Sequence, residues 1–221
     1  MPSTNAIKIY EENSYYHVYN RGVDKRLIFL DKSDYIAFLG LLKRYLYPFL
    51  EIKDPYTGEV RMVNNKDSLD KEVYLLCFCL MPNHFHFLLK QITKNGMQKF
   101  MKNLTTSYVL YFNEKYERKG RLFQGVYKAT NIFNEEYFLH LSRYIHLNPL
   151  PLLNRVKKLE DYDWSSFLDY IGKRNIKWLH KDEIFSYFND KYPLKQNKTY
   201  QEFIELNVTE DYDFSPAMKM D

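Results

Sequence analysis

The strongest constraint on the fold is the apolar run VYLLCFCL at residues 73–80, which Met-Pro-Asn separates from a second strand-forming run at residues 84–89. An unbroken apolar run of this length between turn-forming segments is typical of a strand buried on both faces. The break is too short for a crossover helix, so the two runs predict an antiparallel pair joined by a tight turn. Such a pair requires further strands and helices to cover its faces.

The segments around this pair predict the other elements of an α+β domain. In chain order we expect a strand at residues 14–20, a helix capped near Asp31 and ending near Pro48, a loop or short hairpin at 50–70, a helix at 96–118, a strand or extended segment at 121–129 and a helix at 135–147 capped by Asn134. This order predicts an antiparallel sheet with helices mainly on one face. We assign residues 1–172 to this domain and residues 173–221 to a small helical and acidic C-terminal extension.

The charge of the chain is unevenly distributed. The formal net charge is +4, but residues 90–128 hold nine basic and two acidic side chains, and residues 181–221 hold nine acidic and five basic ones. A basic middle favours a surface that contacts phosphate groups. A solvated helix face explains the same pattern equally well.

The cysteines and the N-terminal segment indicate the class of protein. Cys77 and Cys79 alternate along the apolar run and are poorly placed for a disulfide, so we interpret them as core residues of a cytoplasmic protein. Residues 1–14 lack an apolar signal core, and no run approaches the length that spans a membrane. We therefore expect no membrane partner.

Two histidines, His84 and His86, lie one residue apart on the second strand of the pair. A strand has a period of two, so both imidazoles point to one face and can share a metal ion, whereas Phe85 points into the core. The pair alone is a weak indication, because one structural and one exposed histidine fit it too. Its position after a buried strand and a tight turn favours the metal site.

The helix at residues 135–147 carries a second group of candidates. Tyr144 and Asn148 are four residues apart and share a helix face with His140. A tyrosine hydroxyl can attack phosphorus, and an amide oxygen can join the two histidines as a third ligand. An aromatic helix that packs on the sheet is the alternative, and with 21 tyrosines the spacing alone does not single one out. We interpret His146 as structural. His17, on the first strand, could line the site or pack, and we favour packing.

Five motifs in order along residues 15–170 resemble those of the REP-associated tyrosine transposases. Residues 81–89, MPNHFHFLL, are similar to the HUH signature (His, hydrophobic, His) of single-strand transposases, a superfamily that includes the insertion-sequence-200-like transposases. The other four motifs are YHVYNRG at 16–22, GRLFQGVYK at 120–128, RYIHLNP at 143–149 and WSSF at 164–167. Each motif is modest alone, and together they are highly specific.

The resemblance implies a ferredoxin-like HUH endonuclease fold and a site with assigned roles. It implies that Tyr144 is the nucleophile, that His84 and His86 bind a divalent metal ion, Mg²⁺ or Mn²⁺, and that Asn148 assists at the metal. The implied substrate is single-stranded DNA near small hairpins, cut through a 5′-phosphotyrosine link. We therefore expect a bacterial, nucleoid-associated transposase, monomeric or homodimeric, with His140 as a candidate base.

Basic and aromatic side chains are the candidates for DNA contact. The residues we select are Arg21, Lys99, Lys102, Arg118, Arg121, Tyr127 and Lys128, with Tyr16 and Phe123 as further candidates for base stacking. Val126 departs from the family pattern, because many relatives carry arginine there. One phosphate contact is then lost or moved to Lys128 or Arg121.

Three other functions fit part of this pattern. A domesticated relative could bind hairpin DNA without cutting it, although the intact Tyr144 and Asn148 argue against lost catalysis. A replication initiator or plasmid relaxase shares the chemistry, but those proteins usually have a larger chain, a helicase or a third-histidine motif. An unrelated histidine-metal hydrolase would release its product without a protein–DNA bond.

Overall fold

A computed structural model gives the structure of residues 10–152, 158–188 and 199–205. The strands are β1 (Tyr15–Arg21), β2 (Phe49–Lys53), β3 (Val60–Asn64), β4 (Val73–Met81), β5 (His84–Gln91) and β6 (Lys128–Ile132). The helices are α1 (Lys32–Leu46), α2 (Gly96–Lys115), α3 (Glu135–Leu147), α4 (Phe167–Tyr170), α5 (Asp182–Phe185) and α6 (Tyr200–Glu205). No helix within these ranges is both long and apolar enough to cross a membrane.

The central element is a four-stranded antiparallel sheet with the strand order β4-β5-β1-β6. The core elements follow one another as β1, α1, β4, β5, α2 and β6, and this order with this sheet arrangement is the ferredoxin-like topology. The tight turn at Pro82 joins β4 to β5, as the sequence predicts. The α+β prediction is confirmed.

The two faces of the sheet are covered by different helices. On one face, the ring of Phe38 from α1 packs against Phe85 and Phe87 of β5 and against Tyr108 of α2. On the opposite face, α3 lies over β4 and β5. The expectation of helices mainly on one face holds for the two long helices α1 and α2, and α3 adds a layer on the other face.

The helix starts follow from local capping. Asp31 caps α1 by accepting a hydrogen bond from the backbone N–H of Asp34, and the Asp34 carboxylate bonds back to the Asp31 backbone N–H, which forms a capping box. The Asn134 side chain accepts hydrogen bonds from the backbone N–H groups of Glu136 and Tyr137 at the start of α3. The predicted bounds of α3 are confirmed.

Gly22 determines the course of the backbone directly after β1, next to the candidate site. A Cβ atom at this position would lie 2.2 Å from the carbonyl oxygen of Arg26, so no other residue fits without moving the backbone. The backbone N–H of Gly22 donates to the carbonyl oxygen of Asn83 at 2.9 Å, which ties the end of β1 to the turn before His84.

The structure corrects two predicted boundaries. Residues 121–127 do not form a strand, because their pairing with the sheet is confined to the contact of Phe123 with Gly22, and β6 begins only at Lys128. The long helix ends at Lys115 rather than at residue 118, since Glu117 has a φ of 50° that a helix cannot continue. The segment at 50–70 forms the hairpin of β2 and β3, one of its two predicted alternatives.

The described part of the C-terminal extension packs on the outer edge of β4. Leu179 pairs with Leu75, and the ring of Trp178 stacks on Phe78 with ring centroids 6.0 Å apart. Ser165 in the preceding segment pairs with Cys79 of the same strand. The boundary at residue 172 stays a prediction, and the acidic end beyond residue 205 lies outside the described residues.

Candidate active site

Strands β1 and β5 present a row of imidazole and phenol rings on the sheet face covered by α3. Tyr19 of β1 is the cross-strand partner of His86 in β5, and Arg21 is the partner of His84. His17 lies on the same side of β1, and its Nε2 atom is 2.9 Å from Nδ1 of His86. Because residues on a strand alternate between faces, this one register brings all of these side chains together.

Helix α3 places Tyr144 over this row. The Tyr144 ring centroid is 5.5 Å from that of His86 and 6.1 Å from that of His17, and in both pairs the rings are nearly perpendicular. The side chain of Asn148, one turn further along, is within hydrogen-bonding reach of both the Tyr144 hydroxyl and the His84 ring. The structure therefore brings together the four residues Tyr144, Asn148, His84 and His86.

His84 is held in one orientation by its neighbour in the chain. Its Nδ1 atom is 2.6 Å from Oδ1 of Asn83, which can only accept, so Nδ1 carries the proton and Nε2 has a free lone pair. Burial lowers the pKa of His84 to about 4; the hydrogen bond with Asn148 raises it and the positive charge of Arg21 lowers it further. The ring is therefore neutral at physiological pH and able to bind a metal ion.

His86 is fully buried, and only one of its two ring nitrogens has a hydrogen-bond partner among the described residues. Its Nδ1 atom pairs with His17, and among the described residues its Nε2 atom has no hydrogen-bond partner. Burial and the neighbouring rings of His17 and His84 hold the pKa of His86 well below its usual range. A buried imidazole nitrogen without a partner is costly unless a ligand is bound to it.

The residues present fit a divalent metal ion. The donors are two neutral imidazoles and the amide oxygen of Asn148, whose Nδ2 atom donates to the Tyr144 carbonyl oxygen at 2.9 Å. That hydrogen bond fixes the amide nitrogen and leaves the oxygen available. Two imidazoles with one oxygen suit Mn²⁺ better than Mg²⁺, which prefers oxygen ligands. Within the described ranges, no group of three or more His, Cys, Asp or Glu side chains is arranged to hold a metal ion, so the third ligand would be an amide.

Tyr144 itself is half-buried. Burial raises the pKa of its hydroxyl, and the hydrogen bond from Asn148 lowers it. A neutral phenol is a weak nucleophile, so the hydroxyl must lose its proton during attack. Asn148 is the side chain here that favours the phenolate.

The other two histidines of α3 have different surroundings. His140 lies 3.8 Å from Glu136 and its ring faces Phe203 of α6, next to the C-terminal segment. His146 is fully buried; its Nδ1 atom is 2.6 Å from the Tyr200 hydroxyl and its Nε2 atom 2.7 Å from Oγ of Ser166. The structural interpretation of His146 is confirmed.

Several candidate DNA contacts border an open groove between α2 and the loop at residues 120–127. Its volume is about 750 Å³, and its lining includes Lys102, Arg121 and Tyr127. Arg21 and Lys128 line a smaller hollow of about 200 Å³ beside it, on the side of the histidines. The smaller hollow shares Tyr19 and Arg21 with the histidine face, whereas the groove lies against α2, and neither space is lined by the catalytic candidates.

The remaining candidates for DNA contact are engaged elsewhere in the protein. Lys99 forms an ion pair with Glu72 at 2.6 Å, and the Arg118 guanidinium lies 5.5 Å from the centre of the Phe112 ring. The rings expected to stack on bases, Tyr16, Phe123 and Tyr127, are all less than a tenth exposed. Tyr16 and Phe123 are therefore core residues, and Tyr127 is a wall of the groove.

Two residues beside the histidines contact the proposed ligands in a way that the sequence did not predict. His17 does more than pack, since it bonds to His86, and Asn83 does more than turn the chain, since it orients His84. The alternation of His17, Tyr19 and Arg21 along β1 is the signal that could have found the first. No local pattern marks the second, apart from its position directly before His84.

Comparisons with known proteins found similarity to solved structures and to one family model. A solved structure of a REP-associated tyrosine transposase bound to a REP hairpin aligns at 13% identity, covering 80% of this chain and 97% of that one, with a TM-score of 0.49. A protein of Deinococcus radiodurans R1 described as a transposase aligns at 14% identity, covering 64% and 95%, with a TM-score of 0.38. No curated protein sequence matches the chain. The family model for IS200-like transposases matches residues 50–148, which include His84, His86, Tyr144 and Asn148.

Proposed function

We propose that this protein cuts and rejoins single-stranded DNA beside small hairpins through a covalent bond to Tyr144. The observation that carries the proposal is the position of the Tyr144 ring over His86, with Asn148 in reach of both the Tyr144 hydroxyl and the His84 ring. A nucleophile and three neutral metal donors on one sheet face are the parts that phosphoryl transfer requires.

The proposed step is a transesterification. The phenolic oxygen of Tyr144 attacks the scissile phosphorus, the bond from phosphorus to the 3′-oxygen breaks, and the phosphate stays on the tyrosine as a 5′-phosphotyrosine. The phenolic proton passes to a water molecule, and the leaving 3′-oxygen takes up a proton from solvent. Rejoining is the reverse reaction with a second 3′-hydroxyl, so no external energy source is needed.

The side chains of the site hold the reacting groups in place. His84, His86 and the Asn148 oxygen would hold a divalent cation, which would polarise the phosphate and stabilise the leaving oxygen. Asn148 also contacts the Tyr144 hydroxyl and so keeps the nucleophile near that phosphate. Arg21, whose positive charge lowers the pKa of His84, would contact the neighbouring phosphate.

The groove beside α2 supports single-stranded DNA as the substrate. Lys102 and Arg121 can contact the phosphate backbone, and the apolar side chains of Val109, Leu110 and Val126 line the same space. Leu110 and Val126 are both more than half exposed. A groove with charged and apolar walls suits a chain with phosphates on one side and bases on the other.

The test is formation of a covalent adduct. The protein is incubated with Mn²⁺ and a labelled single strand that carries a hairpin, and a denaturing gel with mass spectrometry detects DNA linked to Tyr144. Tyr144→Phe should lose the adduct by at least about three orders of magnitude, since it removes the nucleophile. The matched control Tyr137→Phe changes another partly buried tyrosine of α3 and should retain it.

Each contrary outcome supports one of the competing functions. Binding of the hairpin strand without any adduct indicates a DNA-binding module. Cleavage with free product and no linked protein indicates a metal-dependent hydrolase. An adduct that persists in Tyr144→Phe assigns the nucleophile to another residue.

A further inference from the structure

We infer that His17 is a positioning residue that fixes the tautomer and orientation of His86 for metal binding. The inference rests on the proposed metal site. It concerns a residue on β1, which is distant in sequence from both histidines of the His-x-His pair. His17 is fully buried and its Nε2 atom pairs with Nδ1 of His86, so its role would be exerted through His86.

The hydrogen bond between the two rings has the geometry of a linear, in-plane contact. The two nitrogens are 2.9 Å apart, the ring planes differ by 16°, and the ring centroids are 5.1 Å apart. That centroid separation is accounted for by the hydrogen bond plus the two ring radii. His17 and His86 therefore lie end to end rather than face to face, which is the favourable direction for an N–H···N bond.

This contact couples the proton positions of the two rings, and metal binding by His86 would require one direction of it. To bind a cation, His86 must offer the lone pair of Nε2, the atom that has no hydrogen-bond partner among the described residues. Its proton must then lie on Nδ1 and be donated to Nε2 of His17. His17 in turn must carry its own proton on Nδ1, an atom that is buried and has no hydrogen-bond partner among the described residues. In this arrangement the bond would hold both rings in single tautomers.

The neighbouring ligand is oriented in the same manner. His84 donates its Nδ1 proton to the Asn83 side chain at 2.6 Å, which leaves Nε2 free. Each of the two proposed ligands thus has its Nδ1 atom bonded to a side chain that acts as acceptor and its Nε2 atom available. Acceptors of this kind increase the basicity of ligating histidines, and their loss typically costs about 10–100-fold in metal affinity.

The experiment compares His17→Phe with His17→Gln in the full-length protein. Phenylalanine keeps a buried ring but removes the acceptor, and the Oε1 atom of glutamine can still accept from His86. Manganese affinity is measured from the free Mn²⁺ signal in electron paramagnetic resonance, with His86→Ala as the reference for a lost ligand. Thermal unfolding of each variant without metal records any change in stability.

The expected result is a loss of Mn²⁺ affinity of about 10–100-fold in His17→Phe and a much smaller loss in His17→Gln. Equal affinities in wild type and His17→Phe, with His86→Ala defective, would overturn the inference and leave the proposed function intact. Wild-type protein that binds Mn²⁺ no better than His86→Ala would instead contradict the proposed metal site.

A second measurement needs no metal and compares the wild-type protein with His17→Phe. Long-range ¹H–¹⁵N correlation spectra of the wild-type protein report which nitrogen of each histidine is protonated. We expect His86 with its proton on Nδ1 and His17 with its proton on Nδ1. A proton on Nε2 of His86 would contradict the inference, and a purely packing role for His17 would leave the His86 tautomer unchanged in His17→Phe.

Discussion

The two faces of β5 show how one strand serves two purposes. Phe85 and Phe87 point toward α1 and α2, where they stack on each other with ring centroids 4.6 Å apart and are completely buried. His84 and His86 alternate with them and point toward α3, and the latter is equally inaccessible. On the first face the two rings pack against the aromatic ring of Phe38, whereas on the second a buried ring nitrogen has no hydrogen-bond partner among the described residues.

The two faces of this strand therefore have different roles. The phenylalanine face contributes to stability, and the histidine face carries the candidates for function. Burial of the phenylalanines is favourable in the folded protein and needs no ligand. Burial of the imidazoles costs free energy until a cation or substrate is bound. Local departures from the rules of stable packing are expected at functional sites, and here they are confined to one face.

The largest expected effect is on the apolar face. Phe87→Ala should reduce the free energy of unfolding by about 3–5 kcal/mol, because it leaves a cavity in the packed layer. His86→Ala should reduce it by only about 1–2 kcal/mol, since it also removes a buried polar atom without a partner. Urea unfolding of both variants measures the difference in the free energy of unfolding. A larger loss in His86→Ala than in Phe87→Ala would contradict the assignment of stability to the apolar face.

The same two variants respond differently to metal. Mn²⁺ should stabilise wild type and Phe87→Ala against urea, because a ligand of the native state adds to its stability. It should not stabilise His86→Ala. An equal increase in the free energy of unfolding of all three proteins would show that Mn²⁺ binds at a site without His86.

An intermediate effect is expected from pH on the α3 side. Burial lowers the pKa of His17 to about 3 and of His84 to about 4, both below the value of about 6.5 in the unfolded chain. Below pH 6.5 the unfolded state therefore binds more protons, and stability is lost as pH falls from 6.5 toward 4, by about 1 kcal/mol per pH unit for each such histidine. Urea unfolding at pH 7, 6 and 5 measures this slope.

His146→Gln provides the matched variant for the pH series. Burial lowers the pKa of His146 to about 3, and its two hydrogen-bond partners lie away from the proposed metal ligands. Glutamine does not titrate, so the slope between pH 6.5 and pH 5 should become smaller by the contribution of one histidine. An unchanged slope would show that His146 is not buried in its neutral form.

The smallest effect is expected from the charged border of the groove. Lys102→Glu and Arg121→Glu should each weaken binding of single-stranded DNA by about threefold to tenfold and reduce the slope of log affinity against log salt by about 0.7. The control Lys53→Glu reverses an exposed charge on β2, away from the groove. Fluorescence anisotropy at several salt concentrations measures the effect. An equal loss of affinity in the control would show that the groove does not bind the DNA.

The sequence predicted those elements whose ends and faces are determined by neighbouring residues in the chain. The cap at Asn134 predicted the start of α3, and the period of two along β5 placed His84 and His86 on one face. Contacts between distant segments could not be predicted in this way. His17 meets His86 across 69 positions of the chain, and Phe123 meets the sheet at a single residue, so neither contact leaves a periodic pattern.

The pairing of Leu75 with Leu179 and of Cys79 with Ser165 has a consequence for association between molecules. The backbone groups of β4 that face away from β5 accept hydrogen bonds from His180 and Ser166, and the N–H of Leu80 donates to Trp164. The exposed border of a sheet readily recruits a strand from another molecule, but here a later part of the same chain already occupies it. A truncation that ends before Trp164 would uncover this border and turn a self-contained sheet into one that can polymerise.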